Sequence, residues 1–79
     1  IHDATLNRTT SGNGKVNDYS LAELKLLNAS KPNNENYSNQ KIPTLDEALK
    51  LTQGKAILLI EIKADAQNNP YTDIEKKIL

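Results

Sequence analysis

Ala56-Ile57-Leu58-Leu59-Ile60-Glu61-Ile62-Lys63 is the stretch whose reading decides the fold. Five apolar residues run unbroken into a carboxylate, another isoleucine and an amine. The run is too short for a membrane span and carries no helical stripe, so it reads as a strand buried on both faces. Side chains alternate along a strand. Ile57, Leu59, Glu61 and Lys63 therefore share one face, and Leu58, Ile60 and Ile62 share the other. At about 3.3 Å per residue, Glu61 and Lys63 stand roughly 7 Å apart. Both lie at the C-terminal end of the strand, where parallel α/β sheets and barrels hold their ligands. A strand leaving the core also ends in charges, because unpaired charge resists burial. The rest of the chain has to decide between these readings.

Immediately upstream, Ile42-Pro43 leads into Thr44-Leu45-Asp46-Glu47, a capping box with acids in the first turn, where the helix dipole favours them. Leu45, Ala48, Leu49 and Thr52 line one face, and Gly54 supplies a stop. A helix over 45–53 feeding a strand over 56–63 is expected. Further upstream, Ser20-Leu21-Ala22-Glu23 is another capping box, and Leu21, Leu24 and Leu27 give a short apolar stripe. A helix of about two turns near 21–27 follows, with Asn28-Ala29-Ser30 able to end it.

The intervening segments are polar. Residues 8–15, Arg-Thr-Thr-Ser-Gly-Asn-Gly-Lys, read as a loop with a tight turn and match neither nucleotide-loop pattern. Residues 30–41 hold one proline, four asparagines and no aliphatic residue, and read as an exposed loop in which Tyr37 either anchors the backbone or stacks on a ligand. After the strand, 64–69 is a polar connection. Thr72-Asp73-Ile74-Glu75 is a third capping box, starting a helix over 72–79.

The composition bounds what such a chain does. Seventy-nine residues make one domain at most, and 37% hydrophobic content with no Phe, Trp or Met gives a modest core. Ten basic and ten acidic residues balance to a formal charge of zero, which argues against a broad footprint for nucleic acid. With no cysteine there is neither a disulfide nor a thiolate metal site, and the compartment stays open. No signal peptide or membrane segment is visible. The chain opens on Ile1-His2-Asp3 without methionine and closes inside a helical pattern, so it reads as a piece of something larger whose bare strand edges invite self-association.

A strand end at residues 1–6, then helix and strand, make a βαβ unit with an insertion. His2, Glu61 and Lys63 would then meet at one sheet edge. Histidine exchanges protons near neutral pH, a glutamate at a strand end holds a hard cation, and a lysine neutralises phosphate. Together they suit metal-assisted phosphoryl chemistry. Asp3 follows His2 directly and would point to the opposite strand face. It is therefore a poor orienter of that imidazole, and backbone or loop groups such as Arg8 are its expected partners. A solvent-exposed terminal position is the plain alternative for His2.

These residues carry a resemblance. His2-Asp3-Ala4-Thr5-Leu6-Asn7-Arg8-Thr9-Thr10, Gly12-Asn13-Gly14-Lys15-Val16, Tyr19-Ser20-Leu21-Ala22-Glu23-Leu24, Ile42-Pro43-Thr44-Leu45-Asp46-Glu47-Ala48-Leu49 and Glu61-Ile62-Lys63 resemble, in order, the glycerophosphodiester phosphodiesterase family. The resemblance implies an α/β fold, a fragment of a (β/α)₈ TIM barrel, with residues 10–41 as its insertion subdomain and 44–63 as a helix and barrel strand. It implies hydrolysis of glycerophosphodiesters to glycerol 3-phosphate and an alcohol with a divalent cation, Ca²⁺ or Mg²⁺. His2 matches the second of the family's two acid/base histidines, Glu61 a metal ligand and Lys63 a lysine near the phosphate. The family's His-Arg-Gly, Pro-Glu-Asn and Glu-x-Asp pieces are missing, and Asn28-Ala29-Ser30 stands where Asp-Ala-Gly is common. The 79 residues by themselves are therefore expected to be inactive. A non-catalytic binding module from a barrel relative, or a barrel phosphodiesterase acting on inositol phospholipids, are the competing readings.

Overall fold

A computed structural model describes residues 1–30 and 40–79 of the chain. The expected placing of Tyr37 lies outside the described residues. Two compact units divide the chain, Ile1–Pro43 and Thr44–Leu79.

In the first unit the capping box forms as its sequence dictates. Ser20 Oγ accepts from the Glu23 N–H at 3.2 Å, and Glu23 Oε2 accepts from the Ser20 N–H at 2.7 Å. Two of the four orphan donors at the helix start are thereby satisfied. Helix α1 runs Leu21–Lys25, shorter than the 21–27 expected, because Leu26 already serves as its C-cap. Leu24 and Leu27 are half-buried, but Leu21 is 60% exposed, so only two members of the expected stripe pack inward. Lys25 Nζ donates to the Ile42 carbonyl at 2.8 Å, and the Ala29 N–H donates to the Gln40 carbonyl at 2.8 Å. These bonds tie the far side of the polar segment back to the end of α1.

The centre of this unit is a pair of residues in the N-terminal loop. Leu6 is fully buried and Thr10 is 1% exposed. The Thr10 N–H donates to the Leu6 carbonyl at 3.1 Å. Its hydroxyl donates to the same carbonyl at 2.8 Å and accepts from the Gly12 N–H at 3.0 Å. The buried hydroxyl is thus fully engaged, as burial requires. A Cβ at Gly12 would lie 2.8 Å from Leu27 Cδ1 and 3.2 Å from Leu6 Cδ1, so a larger residue there would require these leucine side chains to shift.

Residues 1–4 are not a strand end. Thr5 bridges Lys15 in antiparallel sense, with Leu6 N–H donating to the Gly14 carbonyl at 2.9 Å and Val16 N–H to the Ala4 carbonyl at 3.0 Å. The chain bends at Asp3 and Ala4 just before this pairing. The glycine-bearing loop therefore folds back on the residues that precede it.

In the second unit α2 spans Leu45–Thr52. Thr44 Oγ1 accepts from the Glu47 N–H at 3.1 Å. Leu45, Ala48 and Thr52 are half-buried, as the stripe required, while Leu49 stays 43% exposed. The helix stops at Gly54, whose φ of +74° follows a Gln53 at φ −55°, ψ 124°. With the Lys55 N–H on the Thr52 carbonyl at 2.9 Å, this is a type II turn, which needs glycine at its third position.

Residues 56–63 do not form the expected strand. No backbone N–H from Ile57 to Lys63 donates to another described residue. Ile57 is 94% and Leu59 96% exposed, with Ile60 and Ile62 about half exposed. A strand exists only through ladders to neighbours. Among the described residues the second unit offers a single isolated bridge, Ala64 with Pro70. Asp65 organises that bridge: its Oδ1 accepts from the Gln67 and Asn69 N–H groups, each at 2.9 Å. Helix α3, Ile74–Ile78, starts one residue later than its capping box would. Asp73 occupies the N-cap in left-handed conformation without a side-chain cap bond, so the Thr72 box does not form.

Candidate functional site

The bend at Asp3 and Ala4 decides the geometry around His2. On a strand the side chains of His2 and Asp3 would diverge. In the bend they converge, and His2 Nδ1 lies 3.0 Å from Asp3 Oδ1. This corrects the expectation that Asp3 is badly placed to orient the imidazole: strand alternation does not apply where no strand exists. Of the expected partners, backbone or loop groups such as Arg8, the structure shows Arg8. Arg8 Nε donates to Asp3 Oδ2 at 2.8 Å, and Arg8 Nη2 to Asp3 Oδ1 at 2.9 Å. This two-pronged geometry is the strong form of a charge-assisted pair.

The cluster is graded in exposure. The Asp3 side chain is 23% exposed, Arg8 68% and His2 75%. The carboxylate sits at the base and the imidazole points to solvent. Arg8, and after it the His2 ring, hold the Asp3 carboxyl well below the usual carboxylate range, against the opposing effect of burial. Asp3 in turn raises the pKa of Arg8 above its already high value.

A test follows from the sign of this shift. The folded-state pKa is depressed, so whatever stability the ionised carboxylate contributes is present above its unfolded-state pKa of about 3.9 and is lost as pH falls through the folded value. In a carboxyl-carbon NMR titration, Asp3 should remain ionised below the other carboxylates. In Arg8→Ala its midpoint should rise toward about 3.9. A midpoint unmoved by Arg8→Ala would contradict the assignment of cause.

In the second unit Lys63 Nζ lies 3.6 Å from Glu61 Oε1. The two side chains meet although residues 56–63 form no strand. Glu61 is 68% exposed and Lys63 34%. An ion pair this open is worth well under about 1 kcal/mol, so it does not explain itself as a stabilising device.

Glu61 offers a hard carboxylate oxygen, suited to one position in a Ca²⁺ or Mg²⁺ shell. Among the described residues no group of three or more His, Cys, Asp or Glu side chains gathers around a common point. A complete shell is therefore not formed by these residues. Among the described residues, too, no helix is long and apolar enough to cross a membrane.

The sequence reading named His2, Glu61 and Lys63 but missed the imidazole–carboxylate contact. The signal lay in Asn7 to Gly14, a run so rich in turn formers that a strand through Asp3 could not continue far.

Comparison with known proteins adds a different kind of observation. The family model described as "Glycerophosphoryl diester phosphodiesterase family" matches residues 1–79. A protein of Caldanaerobacter subterraneus subsp. tengcongensis named glycerophosphodiester phosphodiesterase is 41% identical over 80 residues, covering 100% of this chain and 32% of its own length. A Bacillus altitudinis protein of the same name is 38% identical over 78 residues, 99% of this chain and 32% of its own. The Bos taurus protein named glycerophosphodiester phosphodiesterase 1 is 32% identical over 81 residues, 99% of this chain and 24% of its own. The chain thus spans about a third or less of the length of these curated relatives.

Proposed function

The chain belongs to the glycerophosphoryl diester phosphodiesterase family, and from that premise we propose that it forms part of a hydrolase cleaving glycerophosphodiesters to glycerol 3-phosphate and an alcohol. The family's fold is a TIM barrel, and its members are phosphoric diester hydrolases. The observation that carries the proposal is the family match along all 79 residues.

Within that reading each residue has a role its chemistry supports. Cleaving a phosphodiester needs a proton taken from the attacking hydroxyl or water and a proton given to the departing alkoxide. A solvent-facing imidazole performs either transfer near neutral pH. His2, with its ring open to solvent and one nitrogen engaged, suits that work. Lys63 supplies an ammonium of the kind that neutralises phosphate charge. Glu61 supplies one oxygen ligand to a divalent cation, Ca²⁺ or Mg²⁺, held in the whole domain with ligands from outside these residues. Such a cation, when bound, offsets the negative charge that builds on the phosphoryl oxygens. In the whole domain residues 10–41 would belong to the insertion subdomain that shapes the site, and 44–63 would supply a helix and strand of the barrel.

The test is release of glycerol 3-phosphate from glycerophosphocholine by the full-length protein that contains this chain. Release should stop with chelator and return with added Ca²⁺ or Mg²⁺, and the 79-residue chain alone should release none. Chelator-resistant release would sink the metal assignment. No release by the full-length protein, with metal present, would sink the hydrolase reading.

A further inference from the structure

Arg8 is anchored by a two-pronged bond to Asp3. It sits inside the turn closed by the Thr10 N–H on the Leu6 carbonyl, and the two ends of that turn are the two fully buried side chains among the described residues. A planar guanidinium on so fixed a base holds a carboxylate in one orientation, because both prongs must be met together. Both oxygens of Asp3 are taken up in this way, Oδ2 by Nε and Oδ1 by Nη2. The remaining acceptor capacity of Oδ1 faces the His2 ring.

An ionised carboxylate has acceptors and no donor. The hydrogen in the His2–Asp3 bond therefore belongs to Nδ1. In a neutral imidazole that leaves Nε2 without hydrogen, as the acceptor. Structural duty alone would explain why Arg8 grips Asp3, but it would not explain why the grip leaves a lone pair aimed at an exposed ring.

We propose that Asp3 and Arg8 are positioning residues for His2, fixing the imidazole as its Nδ1–H tautomer so that Nε2 is the atom that exchanges a proton with the phosphodiester substrate. The proposal rests on the hydrolase reading above for the last step only. Arg8 acts through Asp3, and Asp3 acts through the ring; neither needs to touch substrate. Over one turnover Nε2 gains one proton and loses one, so the ring returns to its starting state and Nδ1–H stays in place throughout.

Asp3→Asn is the sharp test. Arg8 still presents only donors, so the amide oxygen turns to Arg8 and the amide NH₂ turns to the ring. A donor there selects the opposite tautomer, with hydrogen on Nε2. The experiment uses the full-length protein with ¹⁵N-labelled histidine, the His2 signals being those lost in His2→Ala. At a pH where the ring is neutral, Nε2 should give the pyridine-type resonance and Nδ1 the pyrrole-type one. Asp3→Asn should exchange or mix the two types and lower kcat about 10- to 100-fold with KM little changed. Arg8→Lys, which keeps the charge but not the fork, should give a smaller change of the same kind. It also serves where Asp3→Asn does not fold.

A wild-type ring with hydrogen on Nε2 would overturn the proposal. So would variants of native fold whose ring signals and kcat stay at wild-type values. Failure of the hydrolase reading looks different. There the ring signals would respond to Asp3→Asn, while neither wild type nor any variant released glycerol 3-phosphate.

Discussion

Replacing His2 with alanine in the full-length protein is expected to lower kcat for glycerophosphodiester hydrolysis by about 10²- to 10⁴-fold, the usual worth of one positioned acid/base group. Each tenfold is about 1.36 kcal/mol of barrier, so the loss is about 3 to 5 kcal/mol. Substrate binding should change little, because the ring's task is proton transfer and the phosphate charge falls to other groups. Stability should hardly change either. The His2 side chain is 75% exposed, and among the described residues its ring bonds only to the neighbouring Asp3. Substitutions at such surface positions stay within about 0.5 kcal/mol. A large loss of rate without loss of fold separates a chemical role from a structural one. A loss of rate that tracked unfolding would assign His2 to the scaffold instead.

How far the sequence foretold this structure differs between its elements. Helix starts were readable because they depend on a few adjacent residues. Ser20 with Glu23, and Thr44 ahead of Glu47, cap α1 and α2 where the pattern placed them. The stop at Gly54 was readable for the same local reason. The third cap failed because Asp73 adopts a left-handed conformation that moves the helix start past Thr72. Nothing in four residues of sequence fixes that choice.

The contact between His2 and Asp3 was missed because it depends on the course of the backbone. The residue types were right, but a bend replaced the assumed strand, and adjacent side chains then met. The partnership of Asp3 with Arg8 was within reach, since a carboxylate and a guanidinium five residues apart need only one turn between them. Residues 56–63 pose the opposite case. Their apolar run marks a strand plainly, yet a strand draws its hydrogen bonds from neighbours, and among the described residues it has none to draw on.

That segment carries the second large effect. In this chain the N–H groups from Ile57 to Lys63 donate to no described residue, and the side chains of Ile57 and Leu59 stand almost wholly open. As a barrel strand in the full-length protein, the same N–H groups would be paired on both sides and the same side chains buried. Burying a leucine or isoleucine side chain is worth about 1.5 to 3 kcal/mol. Amides at the heart of a sheet open only with a large part of the domain, at several kcal/mol. At about 1.4 kcal/mol per factor of ten, protection of 10³-fold or more is the expected scale.

Amide hydrogen exchange across residues 57–63, compared between the 79-residue chain and the full-length protein, therefore tests most directly whether this stretch is a strand of a larger barrel with Glu61 and Lys63 at its end. The chain alone, kept dilute so that copies do not pair, should exchange near the free-peptide rate. The full-length protein should exchange at least about 10³ times more slowly over the same amides. Equally fast exchange in a folded full-length protein would contradict the account.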